Sequence, residues 1–303
     1  MPDIAIIGGG PAGLTAGLYA ARGGGDAVLY EELFAGGQAA KTERIENYPG
    51  FPEGLDGFQV GALIEQQAEK FGLAVAYDSI LHMKLDGPEK VLTLSGGEVK
   101  AKAVILCMGA TPRKLGLADE ERLTGAGVSY CATCDGAFFR EKDVAVVGGG
   151  DTAIADALYL ARFCSSVTVV HRRDALRAAA SLQKAAFAEK KIHFLWDSVP
   201  EALHGDASLT GMTVKNVKSG ETALVSLSGL FVAVGITPRT ELVKGQVELG
   251  KGGEVLTDPF MRTSLSGVFA AGDIRNTPLR QVVTACGDGA VAATGALEYL
   301  SHL

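Results

Sequence analysis

The 303-residue sequence predicts an α/β fold built from two copies of one strand–turn–helix unit, and three observations support this. Residues 8–22 read GGGPAGLTAGLYAAR and residues 148–162 read GGGDTAIADALYLAR, and the two match in register without gaps. The apolar runs IAII and VAVV come directly before these glycine turns, as buried parallel strands do. A third pair, ILCMGATPRK at 105–114 and LFVAVGITPRT at 230–240, shares Gly-x-Thr-Pro-Arg after an apolar run.

The Thr-Pro segments divide the chain into two domains. Proline fixes its own φ and disfavours helix at the residue before it, so each segment predicts a stiff crossing. We expect a discontinuous first domain at 1–111 and 239–303, an inserted second domain at 113–237, and hinges near 111–113 and 236–239. The returning part contains GVFAAGDI, a short buried strand, and then an apolar helix from about Arg280 to Leu300.

The first glycine turn has the context of a dinucleotide site. Gly8-x-Gly10-x-x-Gly13 follows a strand and begins a helix, with Pro11 suited to the first helical turn. Glycine lets phosphate approach the backbone, and the helix N-terminus provides unpaired N–H groups. The next strand, AVLYE, ends at Glu31, whose carboxylate can accept hydrogen bonds from a ribose. We therefore predict a Rossmann-like dinucleotide-binding domain rather than an ordinary glycine-rich turn.

The second glycine turn differs from the first at the position that contacts the ribose. The turn is Gly148-x-Gly150-x-x-Ala153, and adding 140 to each number aligns Glu31 with His171. The acid is thus replaced by HRR at 171–173, and Arg177 follows one turn later. Guanidinium groups bind phosphate, whereas a carboxylate repels it, so the second copy suits the 2′-phosphate of NADPH. The alternative for HRRDALR is a solvated basic start of a helix.

The remaining features of the first copy favour FAD. The chain also contains two closely spaced cysteines, described below. A flavin can pass electrons from NADPH to such a pair of thiols, whereas a second nicotinamide nucleotide in the first copy has no obvious use. Asp273 follows the buried strand of GVFAAGDI and can bond the ribityl hydroxyls. The helix that begins near Arg280 would direct its positive end at the flavin, which favours the reduced ring.

The segment GVSYCATCDGAFF at 127–139 carries two cysteines, which can ligate zinc, form a structural disulfide or transfer electrons. Zinc needs four ligands, and the other cysteines lie singly at 107, 164 and 286, so no metal site is predicted. A structural disulfide with so small a loop adds little stability. We predict redox use of Cys131 and Cys134. The adjacent Asp135 is either their general acid and base or a surface turn residue, and it can be both.

Composition narrows the partners and the compartment that we expect. The net charge is −7, and the basic residues cluster only in HRRDALR, which disfavours nucleic-acid binding. No apolar stretch approaches the length of a membrane span, and the N-terminus has no secretion signal. We therefore expect a cytoplasmic protein with no membrane partner.

In order, the motifs GGGPAGLTAGLYAAR, GGQ…ENYPGF, YCATCDGAFF, GGGDTA, HRRDALRA and GVFAAGDI…RQVVTACGDG resemble those of the bacterial low-molecular-weight thioredoxin reductases. The resemblance extends over essentially the whole chain. It implies FAD and NADPH domains in one subunit, a homodimer, and rotation of one domain against the other. It further implies that Cys134 faces the flavin, that Cys131 attacks thioredoxin, and that Asp135 transfers the proton. One departure is Ala155, because the family usually has acids at this position and at that of Asp156.

Together, residues and resemblance give a full set of expected contacts. The expected FAD contacts are Gly8, Gly10, Pro11, Ala12, Gly13, Glu31, Gly37, Gln38, Asn47, Gly272, Asp273, Arg280, Gln281 and Val282. The expected NADPH contacts are Gly148, Gly150, Asp151, Thr152, Ala153, His171, Arg172, Arg173 and Arg177. The predicted function is NADPH-dependent reduction of thioredoxin disulfide, with a flavin-dependent dithiol oxidase, or a reductase with another donor or partner, as the alternative.

Overall fold

A computed structural model describes residues 1–42 and 44–303. The first segment contains β1 (Ile4–Ile7), α1 (Pro11–Arg22), β2 (Ala27–Glu31), α2 (Gly57–Lys70), β3 (Ala74–Tyr77), β4 (Ile80–Lys84), β5 (Lys90–Leu94), β6 (Gly97–Ala101), β7 (Ala103–Leu106) and β8 (Ala110–Pro112). The middle contains α3 (Glu120–Leu123), β9 (Val128–Ser129), α4 (Ala132–Asp135), β10 (Asp143–Val147), α5 (Asp151–Ala161), β11 (Ser166–Val170), α6 (Ala180–Ala188), β12 (Ile192–Leu195), β13 (Ser198–His204), β14 (Gly211–Asn216), β15 (Thr222–Ser226), β16 (Gly229–Val232) and β17 (Ile236–Pro238). The last part contains β18 (Val268–Ala270) and α7 (Val282–Ser301). Four short 3₁₀ helices lie at Ala39–Lys41, Gly136–Phe139, Glu241–Val243 and Gly272–Ile274.

The chain forms two compact units. Unit 1 comprises Met1–Thr111 and Thr237–Leu303, and unit 2 comprises Pro112–Ile236. Strands β8 and β17 pair with each other where the chain crosses between the units. Which cofactor each unit takes stays a prediction.

The two units repeat one architecture, and the predicted α/β fold with two Rossmann-like sheets is confirmed. In unit 1 the parallel sheet has the order β18-β7-β1-β2-β3, and in unit 2 the order is β9-β16-β10-β11-β12. Each unit also carries an antiparallel three-stranded meander, β4-β5-β6 or β13-β14-β15. The shift of 140 holds in the strand pairing as well, since Ile4 pairs with Ala27 and Val144 with Val167.

Burial on both faces explains why the central strands are apolar runs rather than alternating patterns. In β1, Ile4 and Ile6 pack into a core with α1, α2 and α7. Ala5 and Ile7 face the opposite core, which the meander β4-β5-β6 helps to form. Strand β10 repeats this division between two further cores in unit 2.

The last helix begins slightly later than the sequence suggests. The expected start is about Arg280, whereas α7 runs from Val282 to Ser301. The backbone of Gln281 is extended, and its N–H donates to Thr284 Oγ1 at 3.1 Å, which caps the helix. Arg280 and Gln281 therefore belong to the loop before α7. In the described ranges, none of the helices has the length and apolar character needed to span a membrane.

Candidate active site

The two cysteines form a disulfide at the end of an edge strand in unit 2. Cys131 and Cys134 are joined, and their Cα atoms lie 5.3 Å apart. Strand β9 ends at Ser129, and α4 begins directly after Cys131. The Cys134 N–H donates to Cys131 Sγ at 3.2 Å. Both cysteines are partly exposed, as thiol–disulfide exchange with an outside partner requires.

Asp135 lies beside the disulfide in a largely buried position. Burial raises the pKa of its carboxyl above the ordinary value, and a hydrogen bond from Ser129 opposes that shift. Ser129 Oγ lies 2.6 Å from Asp135 Oδ2. A carboxyl group with a raised pKa holds a proton closer to neutral pH, which suits a proton donor to a thiolate.

The segment that follows the cysteine pair carries an exposed aromatic ring. The Phe138 side chain, four residues after Cys134, is 46% exposed, although it is a large hydrophobic residue. It borders a cavity of about 570 Å³ that is also lined by residues 125–127, Leu209 and Ser228.

The first glycine turn is tightly packed at two positions and open at a third. A Cβ on Gly8, whose φ is +104°, would lie 2.6 Å from Cys107 O, and one on Gly13 would lie 1.9 Å from Gly8 O. A Cβ on Gly10 would have only the Cα of Gly37 within 4.0 Å. Helix α1 begins after Gly10 without a side-chain cap, so its first N–H groups remain available to a ligand. Pro11 and Ala12 occupy the first helical turn.

Glu31 holds this turn in place. Its Oε2 accepts the Gly9 N–H at 2.6 Å, and its Oε1 accepts the Leu33 N–H at 3.1 Å. A carboxylate has further lone-pair sites, so ribose hydroxyls can still donate to it. The acid predicted from sequence is therefore in the position that a ribose contact needs.

The second glycine turn repeats this geometry with a different side chain. His171 is buried, and a Cβ on Gly149 would lie 2.3 Å from its Nδ1, so the ring covers the turn as Glu31 does. Burial is the main cause that lowers the pKa of His171, and its Nε2 lies 3.1 Å from Ala175 O. His171 is therefore a neutral packing residue that donates to Ala175 O rather than a cationic ligand.

The three arginines are the exposed part of this segment. Arg172, Arg173 and Arg177 are all exposed, and the Arg177 N–H donates to Gly149 O at 2.7 Å. That bond brings the end of HRRDALR to the glycine turn. Positive charge is thus placed beside the turn, where a 2′-phosphate can be recognised.

The start of α5 is open at Gly150 and closed at Ala153. No atom lies within 4 Å of a Cβ on Gly150, whereas Ala153 is fully buried against the turn. Asp151 Oδ1 accepts the Ala179 N–H at 2.6 Å, which ties α5 to the residue before α6. Thr152 is exposed in the first turn. Of these residues, Gly150 and Thr152 remain accessible to a phosphate group.

In unit 1, the turn after β18 presents Asp273. Gly272 has φ +77°, and its N–H donates to Asp288 Oδ2 at 3.1 Å. The same oxygen accepts Arg275 Nη1 at 3.0 Å, so a largely buried ion pair fixes the turn. Burial raises the pKa of Asp273, and Arg280 opposes the shift.

Residues far apart in the chain meet near the start of α7. Asn47 Nδ2 donates to Gln281 Oε1 at 2.8 Å, although 234 positions separate them. Val282 is the first helical residue. Gly37 approaches the first glycine turn, since its Cβ would lie 3.0 Å from the Gly10 Cα, and Gln38 is exposed beside it.

These features fit the groups that the sequence predicts. Arg280 Nε is buried and has no hydrogen-bond partner in residues 1–42 and 44–303, so it is suited to an acceptor on a bound molecule. Gly10 and Gly150 leave room for phosphate at uncapped helix N-termini. The donor set therefore fits a flavin dinucleotide in unit 1 and a phosphorylated nicotinamide dinucleotide in unit 2.

Sequence reasoning missed Ser129, Arg275 and Asp288. Ser129 lies two residues before Cys131, and its signal was only that a small hydroxyl residue ends a short strand. Arg275 and Asp288 are 13 positions apart, and their pairing depends on the packing of α7 against the turn. No pattern in the sequence marks that contact.

Comparisons with known proteins agree over nearly the full chain. Residues 2–289 match the pyridine nucleotide-disulphide oxidoreductase family. The chain is 48% identical to a thioredoxin reductase of Streptomyces clavuligerus, covering 99% of this chain and 94% of that protein. It is 47% identical to one of Peptoclostridium acidaminophilum, covering 98% and 96%. A crystal structure of thioredoxin reductase from Streptococcus pyogenes superposes with a TM-score of 0.93 at 43% identity, covering 100% of this chain and 99% of that one.

Family match and identity agree with the cysteine pair and the two nucleotide turns. The chain belongs to the pyridine nucleotide-disulphide oxidoreductases and, within them, to the thioredoxin reductases.

Proposed function

We propose that this protein is an NADPH-dependent thioredoxin-disulfide reductase that uses FAD. The observation that carries the proposal is the disulfide Cys131–Cys134 beside the buried carboxyl of Asp135. The same unit holds a second nucleotide turn with three exposed arginines. A disulfide, a proton source and a site for a phosphorylated electron donor are the parts that this reaction needs.

We assign FAD to unit 1. In the proposal Gly8, Gly10 and Gly13 surround the phosphates, Glu31 accepts from the ribose, and Asp273 bonds the ribityl chain. The open backbone at Gly10 and the bond of Glu31 to the Gly9 N–H support these roles. Pro11, Ala12, Gly37, Gln38, Asn47, Gly272, Arg280, Gln281 and Val282 complete the set. The buried and unpartnered Arg280 Nε supports an acceptor atom nearby. Bound FAD would supply the two-electron chemistry that links NADPH to the disulfide.

We assign NADPH to unit 2. Gly148, Gly150, Asp151, Thr152 and Ala153 form the turn, of which Gly150 offers the open backbone. Arg172, Arg173 and Arg177 bind the 2′-phosphate, and the neutral ring of His171 holds the turn against β11.

The cysteines divide the work. Reduction breaks the S–S bond and leaves two thiolates, one of which takes a proton from Asp135. In the proposal, Cys134 is the sulfur that receives the electrons, and Cys131 attacks the disulfide of thioredoxin. That attack breaks the thioredoxin disulfide and releases one thioredoxin thiolate. Cys134 then attacks the mixed disulfide, which releases the second thioredoxin thiolate and restores the Cys131–Cys134 bond, and Asp135 takes up the proton that Cys134 loses.

The partner is thioredoxin, which we propose docks on the surface around Phe138. An exposed ring beside a cavity, four residues after Cys134, provides apolar area for such a contact. A homodimer and a cytoplasmic location are part of the proposal because of the family resemblance.

One assay tests the function. Purified protein is mixed with NADPH, thioredoxin and a chromogenic disulfide, and thiol formation is followed. We expect bound flavin absorbance, NADPH oxidation and thioredoxin-dependent thiol formation. The Cys134→Ser variant should keep the flavin absorbance and, with an artificial electron acceptor, the oxidation of NADPH, and it should lose thiol formation.

Four outcomes would count against parts of the proposal. Absence of flavin absorbance would contradict the cofactor, and flavin that NADPH does not reduce would indicate another donor. Oxidation of NADPH without thioredoxin reduction would indicate another partner, such as oxygen in a dithiol oxidase. A Cys134→Ser protein with undiminished thioredoxin turnover would refute the mechanism.

A further inference from the structure

The hydroxyl of Ser129 connects the cysteine segment to the proton-carrying carboxyl. Ser129 is only 4% exposed at the end of β9, and β9 pairs with β16 through Leu230–Val128 and Phe231–Ser129. The position of Ser129 is therefore fixed by the sheet and not by the cysteine segment that follows it.

Three polar groups meet at this hydroxyl. Ser129 Oγ accepts the Cys131 N–H at 3.1 Å and lies 2.6 Å from Asp135 Oδ2. It also lies 3.3 Å from Cys131 O. A serine hydroxyl has one proton to donate and two lone pairs to accept with, so it can accept the Cys131 N–H while its proton goes to either Asp135 Oδ2 or Cys131 O.

This arrangement leaves Asp135 paired in either protonation state. When the carboxyl is ionised, Ser129 O–H donates to Oδ2, and the 2.6 Å separation is that of a charge-assisted bond. When the carboxyl is protonated, its O–H can donate to Ser129 Oγ, and the serine proton turns to Cys131 O. The Cys131 N–H remains bonded in both cases.

We infer that Ser129 is the positioning residue that keeps the Asp135 carboxyl hydrogen-bonded both before and after it gives its proton to the cysteine pair. The inference rests on the proposed function, because that function is what makes Asp135 gain and lose a proton in each turnover. Two electrons from NADPH break the S–S bond, one proton moves from Asp135 to a thiolate, and solvent returns a proton to the carboxylate.

Other charged groups near Asp135 must be separated from this effect. Helix α5 packs against the segment, since a Cβ on Gly136 would lie 2.9 Å from Leu160 Cδ2. One turn before Leu160 on α5 is Asp156, whose pKa is raised to about 6 by burial. Arg140 and Lys142 follow the 3₁₀ helix that continues the segment, and both are exposed. Tyr130 is turned to Glu120, with a separation of 2.7 Å.

The test measures protonation of Asp135 directly. Infrared difference spectra of the complete protein are recorded against pH, and the carboxylic acid band of Asp135 is assigned by its loss in Asp135→Asn. The same spectra of Asp156→Asn identify the band of the neighbouring carboxyl. Ser129→Ala, which removes the donor to the ionised form, and Ser129→Thr, which keeps it, are compared with the unmodified protein.

We expect Ser129→Ala to move the midpoint of the Asp135 band upward by about one pH unit, because the charge-assisted bond lost from the ionised carboxyl is stronger than the neutral bond lost from the protonated one. Ser129→Thr should return the midpoint to its original value. In parallel, alkylation of the reduced protein by iodoacetamide should show its pH midpoint displaced in Ser129→Ala and restored in Ser129→Thr. Circular dichroism confirms that both variants are folded.

Two results would overturn the inference. One is an unchanged Asp135 midpoint in folded Ser129→Ala, and the other is a displaced midpoint that the threonine hydroxyl does not correct. Neither result depends on thioredoxin. If the unmodified protein fails to reduce thioredoxin, the proposed function is wrong. If it reduces thioredoxin but the Asp135 midpoint is the same in Ser129→Ala, only this inference is wrong.

Discussion

Single side chains in this protein take different roles at equivalent places. Glu31 and His171 both lie over the middle glycine of a nucleotide turn, and one is a hydrogen-bonding carboxylate while the other is a neutral ring. The exchange removes a negative charge and lets nearby arginines control the electrostatics. We therefore expect selectivity between nucleotides to depend on the exposed cations of unit 2.

Removing those cations should change the choice of nucleotide. In Arg172→Ala/Arg177→Ala we expect the KM for NADPH to rise about 10- to 100-fold, because a hydrogen bond between charged groups contributes roughly 1.5–3 kcal/mol. The KM for NADH should change little, since NADH has no 2′-phosphate. Steady-state kinetics with each nucleotide provides the measurement.

The matched control is Lys184→Ala, which removes an exposed cation from α6 in the same unit. Equal losses with NADPH and NADH in the arginine variant, or an equal loss in the lysine control, would contradict the assignment.

A second residue-scale prediction concerns Asp156, whose pKa is raised to about 6 by burial. Because the folded state holds this proton more tightly than the unfolded state, its stabilising effect is complete below the unfolded pKa and is lost as pH rises through about 6. At pH 7 the buried charge therefore destabilises the protein. Asp156→Asn should raise the free energy of unfolding by about 2 kcal/mol at pH 7 and have little effect near pH 4.

Urea unfolding at both pH values measures this difference. Asp206→Asn, at an exposed carboxylate of the same unit, should show no such pH dependence. A gain of stability that is equal at both pH values would mean that the charge of Asp156 is not its cause.

At the scale of elements, different glycines of a nucleotide turn serve different purposes: one is needed for packing within the fold, and another leaves space for a ligand. Gly148 has φ +153°, and its Cβ would lie 2.6 Å from Ala153 Cβ and Ala233 O, so the fold itself requires glycine there. Gly150 has no atom within 4 Å of such a Cβ. The fold does not require glycine at 150, whereas the proposed phosphate would.

These two glycines make a matched pair for mutation. Gly150→Ala should leave the melting temperature within about 2 °C and raise the KM for NADPH at least about tenfold, because the methyl group occupies the phosphate position. Gly148→Ala should lower the melting temperature instead, because the collisions are internal. Calorimetry and NADPH titration of both variants test this, and a Gly150→Ala protein that binds NADPH normally would exclude a phosphate at this turn.

The elements also mark what the sequence could and could not predict. The internal repeat, in which the second copy lies 140 residues after the first, predicted both parallel sheets. Buried strands, glycine turns and the position that holds an acid in one copy and a basic segment in the other all recur at that spacing. The two-residue strand β9 was not predicted, because a pairing so short leaves no apolar pattern. The bond of Ser129 to Asp135 joins the end of β9 to α4, and that of Asn47 to Gln281 joins two loops. Only the folded chain brings these groups together.

On the scale of the whole molecule, each unit has its own cores on both faces of its sheet. Two cores belong to unit 1 and two to unit 2. Each unit can therefore respond to its own ligand.

We expect calorimetry of the complete protein to resolve two unfolding transitions. NADP⁺ at about 100 times its Kd should stabilise only the transition of unit 2, by about 2.7 kcal/mol, because a ligand that binds only the folded state adds that amount. NAD⁺ at the same concentration should have a much smaller effect. Gly148→Ala identifies the unit 2 transition, and an equal response of both transitions to NADP⁺ would contradict separate sites.

The two five-stranded sheets differ in where one of their edge strands lies in the sequence. In unit 1 the strand beside β7 is β18, which comes after the rest of the sheet, and in unit 2 the strand beside β16 is β9, which comes before it. Each edge strand is followed closely by a segment that the proposed function uses: Gly272–Asp273 for the flavin and Cys131–Asp135 for the disulfide. An edge strand has a neighbour on one side only, so a segment attached to it can be exchanged without interrupting the strands that hold the nucleotide turn. Residues 126–139 also pack against the core of unit 2, where Ala132 is buried and Gly136 faces Leu160 and Phe163. We therefore expect a graft of this segment onto a sheet of the same order that lacks cysteines to carry disulfide chemistry only when those facing residues are transferred with it.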